Sequence, residues 1–220
     1  MQPDSNTWFL ATSLSMPLVA LLGVFGIVAS AVLPIVSFRK GRPGPAALSA
    51  LLLVGLGACI LGGSLSARST ELLSLEKALP FANPVDRASI QVGGAGHARA
   101  FVAAGMLLAL LPLASACLCL GRALTGRVSR LAVGGGLVLA LGIAIGCGAI
   151  ASREVRLMEG EAMQAGALIE DRPRISVQAG AEAARRGRVA WLAGPFALGG
   201  AALLVAGRRR SRSEAPVSEG

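Results

Sequence analysis

Five stretches of this chain contain no Asp, Glu, Lys, Arg or His: residues 14–37, 46–67, 101–121, 131–151 and 189–207. Each is long enough, or nearly so, to cross a bilayer core as helix, which takes about 20 apolar residues. Hydrocarbon offers no hydrogen-bond partner, so a spanning segment must satisfy its own backbone, and an isolated run can do that only as a helix. The runs therefore predict an all-α polytopic membrane protein with five transmembrane helices. Only 15% of the residues are charged, against about a quarter in soluble domains. The net charge of +9 does not argue for nucleic acid, because the basic residues flank apolar runs instead of covering one soluble face. The lipid bilayer is the expected partner, and no nucleic acid is expected.

The short loops set an orientation. Arg39, Lys40 and Arg42 follow the first run, and Arg122, Arg127 and Arg130 follow the third. Arg208, Arg209, Arg210 and Arg212 follow the fifth. The positive-inside tendency puts all three groups in the cytoplasm. The N-terminal tail, 1–13, has no Lys or Arg and carries Asp4, so it is expected outside, with the C-terminus inside. Ala29-Ser30-Ala31 resembles a signal-peptide cleavage site, but no positive charge precedes the apolar run. An uncleaved first helix is the better reading. The tail 208–220 is rich in Arg and Ser, then acidic, and is expected to be disordered and cytoplasmic.

The region 68–100 recurs as 153–185. When Arg68 is laid on Arg153, a shift of 85 positions, Leu72 meets Leu157 and Glu76 meets Glu161. Asp86-Arg87 meets Asp171-Arg172, Ile90 meets Ile175, and Ala98 meets Ala183. A fixed offset of this kind marks one supersecondary unit used twice. The expected organisation is a first helix, then a hairpin repeat over 46–121 with external loop 68–100. A second hairpin follows over 131–207 with external loop 152–188. Both copies run the same way, which makes the repeat parallel. Each loop is expected to be helical, broken in the first copy at Pro80 and Asn83-Pro84. Asn83 would cap a new helix that runs through His97 into the third span. Gly93, Gly94 and Gly96 weaken that helix. Glu170 with Arg174, and Glu182 with Arg186, are spaced as helical ion pairs.

Residues able to do chemistry are scarce. Cys59, Cys117, Cys119 and Cys147 all lie in apolar runs, where cysteine behaves as a small hydrophobe. Cys117 and Cys119 point to different helix faces, and His97 is the one histidine, so neither a metal site nor a cofactor is expected. No catalytic set is evident. The spans hold no ionisable group of the kind that proton and ion paths retain. His97 and Glu182 occupy matching repeat positions and form a speculative polar pair. Small residues are the clearest physical signal. Ala132 and Gly136, Gly142 and Gly146, and Ala144 and Gly148 are four apart. Gly55, Gly62 and Gly199 lie in similarly small-residue-rich stretches. Such spacing lets helix backbones approach closely in lipid. Packing within the chain and homo-oligomerisation are both open.

The stretch GGAGHARAFVAAGMLLALLP, 93–112, resembles the start of a pore helix in the MotA/TolQ/ExbB proton-channel family. Gly94 stands in place of that family's Gly, and His97-Ala98 in place of its Glu-Ala. Ala103, Gly105, Met106 and Pro112 follow, and in the second copy Glu182-Ala183 restores the Glu-Ala pair. Val102 stands where the family has Thr, and the charge bias puts this region outside, where the family keeps its own in the cytoplasm. The resemblance implies a divergent relative, an oligomeric channel or transporter subunit working with a partner helix. Read from its residues, the chain is expected to be a non-enzymatic structural or assembly subunit of a membrane complex. An Ala-, Gly- and Arg-rich chain without tyrosine suggests the inner membrane of a GC-rich bacterium.

Overall fold

The computed structural model describes residues 5–39, 43–84, 86–125, 130–168 and 170–213. These are helical throughout apart from short turns, with no strand among them. The helices are α1 (Ser5–Arg39), α2 (Pro43–Ala78), α3 (Arg87–Thr125), α4 (Arg130–Gly166), α5 (Arg172–Arg188) and α6 (Ala193–Ser213). Five segments are long and apolar enough to cross a membrane: Pro17–Arg39, Pro43–Phe81, Ile90–Leu124, Val133–Gln164 and Arg172–Arg210. At about 1.5 Å per residue, α2, α3 and α4 are roughly 55 Å long against a hydrocarbon core of about 30 Å. Each therefore projects well beyond the core, and its charged residues fall in the projecting parts.

Several boundaries differ from the sequence reading. Helix α1 begins at Ser5, inside the expected tail, because Trp8, Phe9 and Leu10 extend the apolar run. At the other end α6 carries Arg208, Arg209 and Arg210 as helix, since arginine is a good helix former and continues a helix already nucleated in the span. Residues 214–220, and with them most of the expected disordered tail, lie outside the described residues, as do Asp4, Lys40, Arg42 and Arg127. The fifth span is interrupted by a 3₁₀ turn at Val189–Leu192. Pro195 has no N–H to give to the carbonyl of Trp191, and the turn falls on that side of it.

Four bonds of the turns that break the two loops correspond, while Arg87 N–H to Asn83 O and Arg87 Nη2 to Pro80 O are bonds of the first loop. Ala82 N–H donates to Leu79 O at 3.3 Å, and Ala167 N–H to Gln164 O at 3.3 Å. Asp86 N–H donates to Asn83 O at 2.9 Å, and Asp171 N–H to Leu168 O at 3.0 Å. Ile90 N–H donates to Asp86 O at 3.0 Å, and Ile175 N–H to Asp171 O at 3.1 Å. Arg87 Nε donates to Ala82 O at 3.1 Å, and Arg172 Nε to Ala167 O at 3.3 Å. Every second bond lies 85 positions after the first. Asn83 thus takes part in a turn, and α3 starts at Arg87, later than the Asn83-Pro84 start expected.

The chain divides into two compact units. One holds the described residues up to Val24, Cys59–Leu108 and Cys147–Ala190. Within it, Val19 of α1 lies against Gly63 of α2, and Leu108 of α3 lies on Gly23 of α1. Ser64 fills the space a side chain at Gly105 would need. Leu75 of α2 lies on Gly94 of α3, and Ala179 of α5 on Gly160 of α4. These last two contacts again lie 85 positions apart. Gly94 and Gly96, expected to weaken α3, sit inside a continuous helix. Leu75 covers the first, and Met158 and Glu161 stand over the second, so the missing side chains admit neighbours that secure the helix.

The other unit holds Phe25–Ala58, Ala109–Gly146 and the chain from Trp191 on. Ala50, Leu53, Ala116 and Cys119 form its buried cluster, with Ala29 and Leu33 packed against it. Helices α4 and α6 meet backbone to backbone. A Cβ at Gly200 would stand 2.8 Å from Leu139 N and 2.9 Å from Gly135 O. A Cβ at Gly136 would stand 2.9 Å from Cys117 O of α3. Backbone atoms cannot give way as a side-chain tip can. Gly200→Ala and Gly136→Ala should therefore destabilise the protein by about 1–3 kcal/mol, as overpacking does. Gly134→Ala and Gly148→Ala, which meet nothing within 4 Å, should unfold at or slightly above the wild-type temperature in detergent.

Candidate functional site

Seven glycines stand out in the sequence as packing residues, and the structure separates them into two groups. Gly136, Gly142, Gly146 and Gly199 face neighbours within the chain. A Cβ at Gly142 would lie 3.2 Å from Ala193 O, one at Gly146 3.4 Å from Ala193 Cβ, and one at Gly199 3.9 Å from Val138. Gly55, Gly62 and Gly148 have open space where a side chain would go. The three tightest contacts, at Gly105, Gly160 and Gly200, were not singled out by four-residue spacing. They depend on which partner helix lies opposite.

The polar residues converge in the unit that contains the two turns. Arg99 of α3 bridges two carboxylates of α4. Its Nε donates to Glu161 Oε1 at 2.8 Å, and its Nη1 to Glu154 Oε2 at 3.3 Å. Glu154 is buried, while Arg99 keeps about a quarter of its side chain exposed. The second Glu161 oxygen is buried without a hydrogen bond, near the space a Cβ on Gly96 would occupy. Arg156 of α4 binds Glu159 one turn on at 3.0 Å and Glu182 of α5 at 2.5 Å. The two sets of ion pairs tie α3 and α5 to α4. Arg156 holds the Glu182 carboxyl below the ordinary range, and its own pKa is raised in return.

His97 is exposed. Among the described residues no hydrogen bond or ion pair joins it to Glu182, whose carboxylate turns to Arg156. The Glu182–Arg186 pair expected within the second loop also forms differently. Glu182 bonds across to α4, and Arg186 donates to Ser152 O at 3.5 Å. A signal for the Arg99 cluster was present in the sequence. Glu154, Met158 and Glu161 recur at helical spacing and share a face of α4, so two acids two turns apart call for a cation on a facing helix. His97 and Glu71 lie 85 positions before Glu182 and Arg156, so an acid on the first helix in one loop is answered by an acid on the second helix in the other.

No protein-family model, curated protein or solved structure matches the chain. The cluster's chemistry therefore stands on its geometry. Arg99→Ala leaves two carboxylates facing one another with one of them buried. It should cost about 2–3 kcal/mol, the lower side of what breaking a buried pair costs because Arg99 is partly exposed. Adding Glu154→Gln and Glu161→Gln should restore most of the loss in a thermal unfolding series. Glu182 gives a pH test. Its folded-state pKa lies below the unfolded carboxylate value of about 4.3, so its contribution is complete above that value and is lost as pH falls through the folded value. Glu182→Gln should flatten the acid limb of the stability profile and leave other regions of the curve parallel to wild type.

Proposed function

We propose that this chain is a non-enzymatic structural subunit of a membrane assembly, built on a duplicated helical hairpin. What carries the reading is where the polar residues go. Arg99, Arg156, Glu154, Glu161 and Glu182 bind one another across three helices, so the groups best suited to chemistry serve to hold the loops together. Matched turn bonds and the matched Leu75–Gly94 and Gly160–Ala179 contacts support the duplication. The charge bias of the short loops supports an external N-terminus, external hairpins and a cytoplasmic C-terminus, in the inner membrane of a bacterium.

Self-association belongs to this reading, and the open glycines relocate it. Gly142 and Gly146 are engaged inside the chain, whereas Gly55 and Gly62 of α2 are open, with exposed Cys59 between them. Small residues at this spacing suit a helix-to-helix contact between copies. Mild oxidation in membranes should then yield a dimer through Cys59 that Cys59→Ser abolishes and Gly55→Leu with Gly62→Leu reduces. A monomeric mass in detergent together with no cross-link would rule out this part.

A second reading, a channel or transporter subunit of the MotA/TolQ/ExbB type, draws on one observation. Glu154 is a buried carboxylate held by a single arginine, and buried carboxylates can carry protons. Proteoliposomes containing the purified chain should show no proton flux above empty liposomes under the structural reading. A flux abolished by Glu154→Gln would favour the channel.

A further inference from the structure

We infer that copies of this chain join through their projecting helices, with α2 of one copy seated on α5 of the next. The inference rests on the duplication and self-association proposed above and names the faces that meet outside the spans. The projecting helices contact one another in chain order. Leu75 of α2 lies on Gly94 of α3, Met158 and Glu161 of α4 stand over Gly96 of α3, and Ala179 of α5 lies on Gly160 of α4. The first and last of these contacts correspond at a shift of 85 positions. The middle one, between α3 and α4, is made once, and it includes the ion pairs from Arg99 to Glu154 and Glu161.

A shift of 85 positions turns each half of that middle contact into a surface at one end of the row. The α4 half, Glu154, Met158 and Glu161, corresponds to Ser69, Leu73 and Glu76 of α2. All three are exposed, Leu73 by 46%. The α3 half, Gly96 and Arg99, corresponds to Ala181 and Ala184 of α5. Both are exposed, and so is Val177 one turn before, by 73%. At 3.6 residues per turn these three lie on the side of α5 away from its buried residues Ala179 and Ala183. Each copy thus carries both halves of a contact that it also makes internally, and a second copy is the occupant that fits. The charges suit the same pairing. Glu161 finds its cation at Arg99, whereas its counterpart Glu76 forms no ion pair among the described residues. Neither does Arg185, exposed directly after Ala184. In the register of the internal contact, Glu76 meets Ala181 and Ala184 of the neighbouring copy, with Arg185 beside them. Because the two faces differ, each copy offers one and accepts the other, as in a ring.

Disulfide cross-linking between two differently tagged full-length chains, co-expressed in a cysteine-free background, tests the inference in membranes. One chain carries L73C and the other A181C, both at exposed positions where a cysteine displaces nothing. Oxidation should yield a dimer bearing both tags, and S176C, on another side of α5, should not replace A181C. E76R in the first chain or R185E in the second should each lower the cross-linked fraction about fivefold, the upper range for an exposed ion pair. E76R in one chain with R185E in the other should restore it. Absence of the two-tag dimer while the Cys59 cross-link forms in the native-cysteine chain would overturn this inference and leave self-association through the spans standing. Absence of both cross-links would overturn the two together. Equal cross-linking by S176C and A181C, or a yield unchanged by both charge reversals, would also overturn the pairing of α2 with α5.

Discussion

Helices in lipid gain nothing by hiding apolar side chains from one another, since hydrocarbon is as apolar as leucine. Their association has to come from close packing and from polar ties. This chain uses both, in different places. Between α4 and α6 the glycines at 135 and 200 let the backbones meet, so the dispersion contacts are close and numerous. In the projecting parts the packing is reinforced by Arg99 and Arg156, which fasten α3 and α5 to α4. Without the glycine contacts the spans would have little reason to prefer one another over lipid. Without the arginines the projecting helices would carry unpaired carboxylates.

The two loops share turn bonds at a constant shift of 85 positions while many of their side chains differ. Four of the turn bonds recur with similar lengths, among them the one from the arginine that closes each turn, Arg87 in one and Arg172 in the other. At the helix contact below, a Leu on a Gly in the first loop becomes a Gly under an Ala in the second. The large residue and the small one exchange roles across the same pair of positions. The ionic contact changes more. Arg156 with Glu182 replaces the acid-then-histidine order of Glu71 and His97. Arg99, from the second helix of the first loop, reaches across to α4.

Much of this was legible in the chain. The five spans follow from uninterrupted apolar length, a property set by local composition. The turn sites follow from Pro80, Asn83 and Pro84 and from the shift that carries Asp86-Arg87 onto Asp171-Arg172. A helix running through Gly93, Gly94 and Gly96 was expected, but what secures it at Gly94 and Gly96 was not legible, because the neighbours there, Leu75, Met158 and Glu161, come from other helices. The same limit applies to the polar pairs. Spacing along one helix pointed Glu182 at Arg186, yet the across-helix partner Arg156 binds it, and sequence spacing has no view across helices. Open and occupied glycines also look alike in sequence. Gly142 and Gly148 belong to one small-residue pattern, and only the first faces Ala193.

The claim on which the rest turns is that the two loops are copies of one unit on one side of the membrane. Single cysteines at Gln91 and Ser176, exposed positions 85 residues apart, can be tested in a cysteine-free background with a thiol reagent that does not cross the bilayer. A cysteine at Gly44, in the first turn of α2 directly after the first basic loop, serves as the opposite-side control. Labelling of both loop positions from outside intact cells, with Gly44 reached only after permeabilisation, is the result this account predicts. Labelling of one loop position and not the other would contradict the parallel repeat outright.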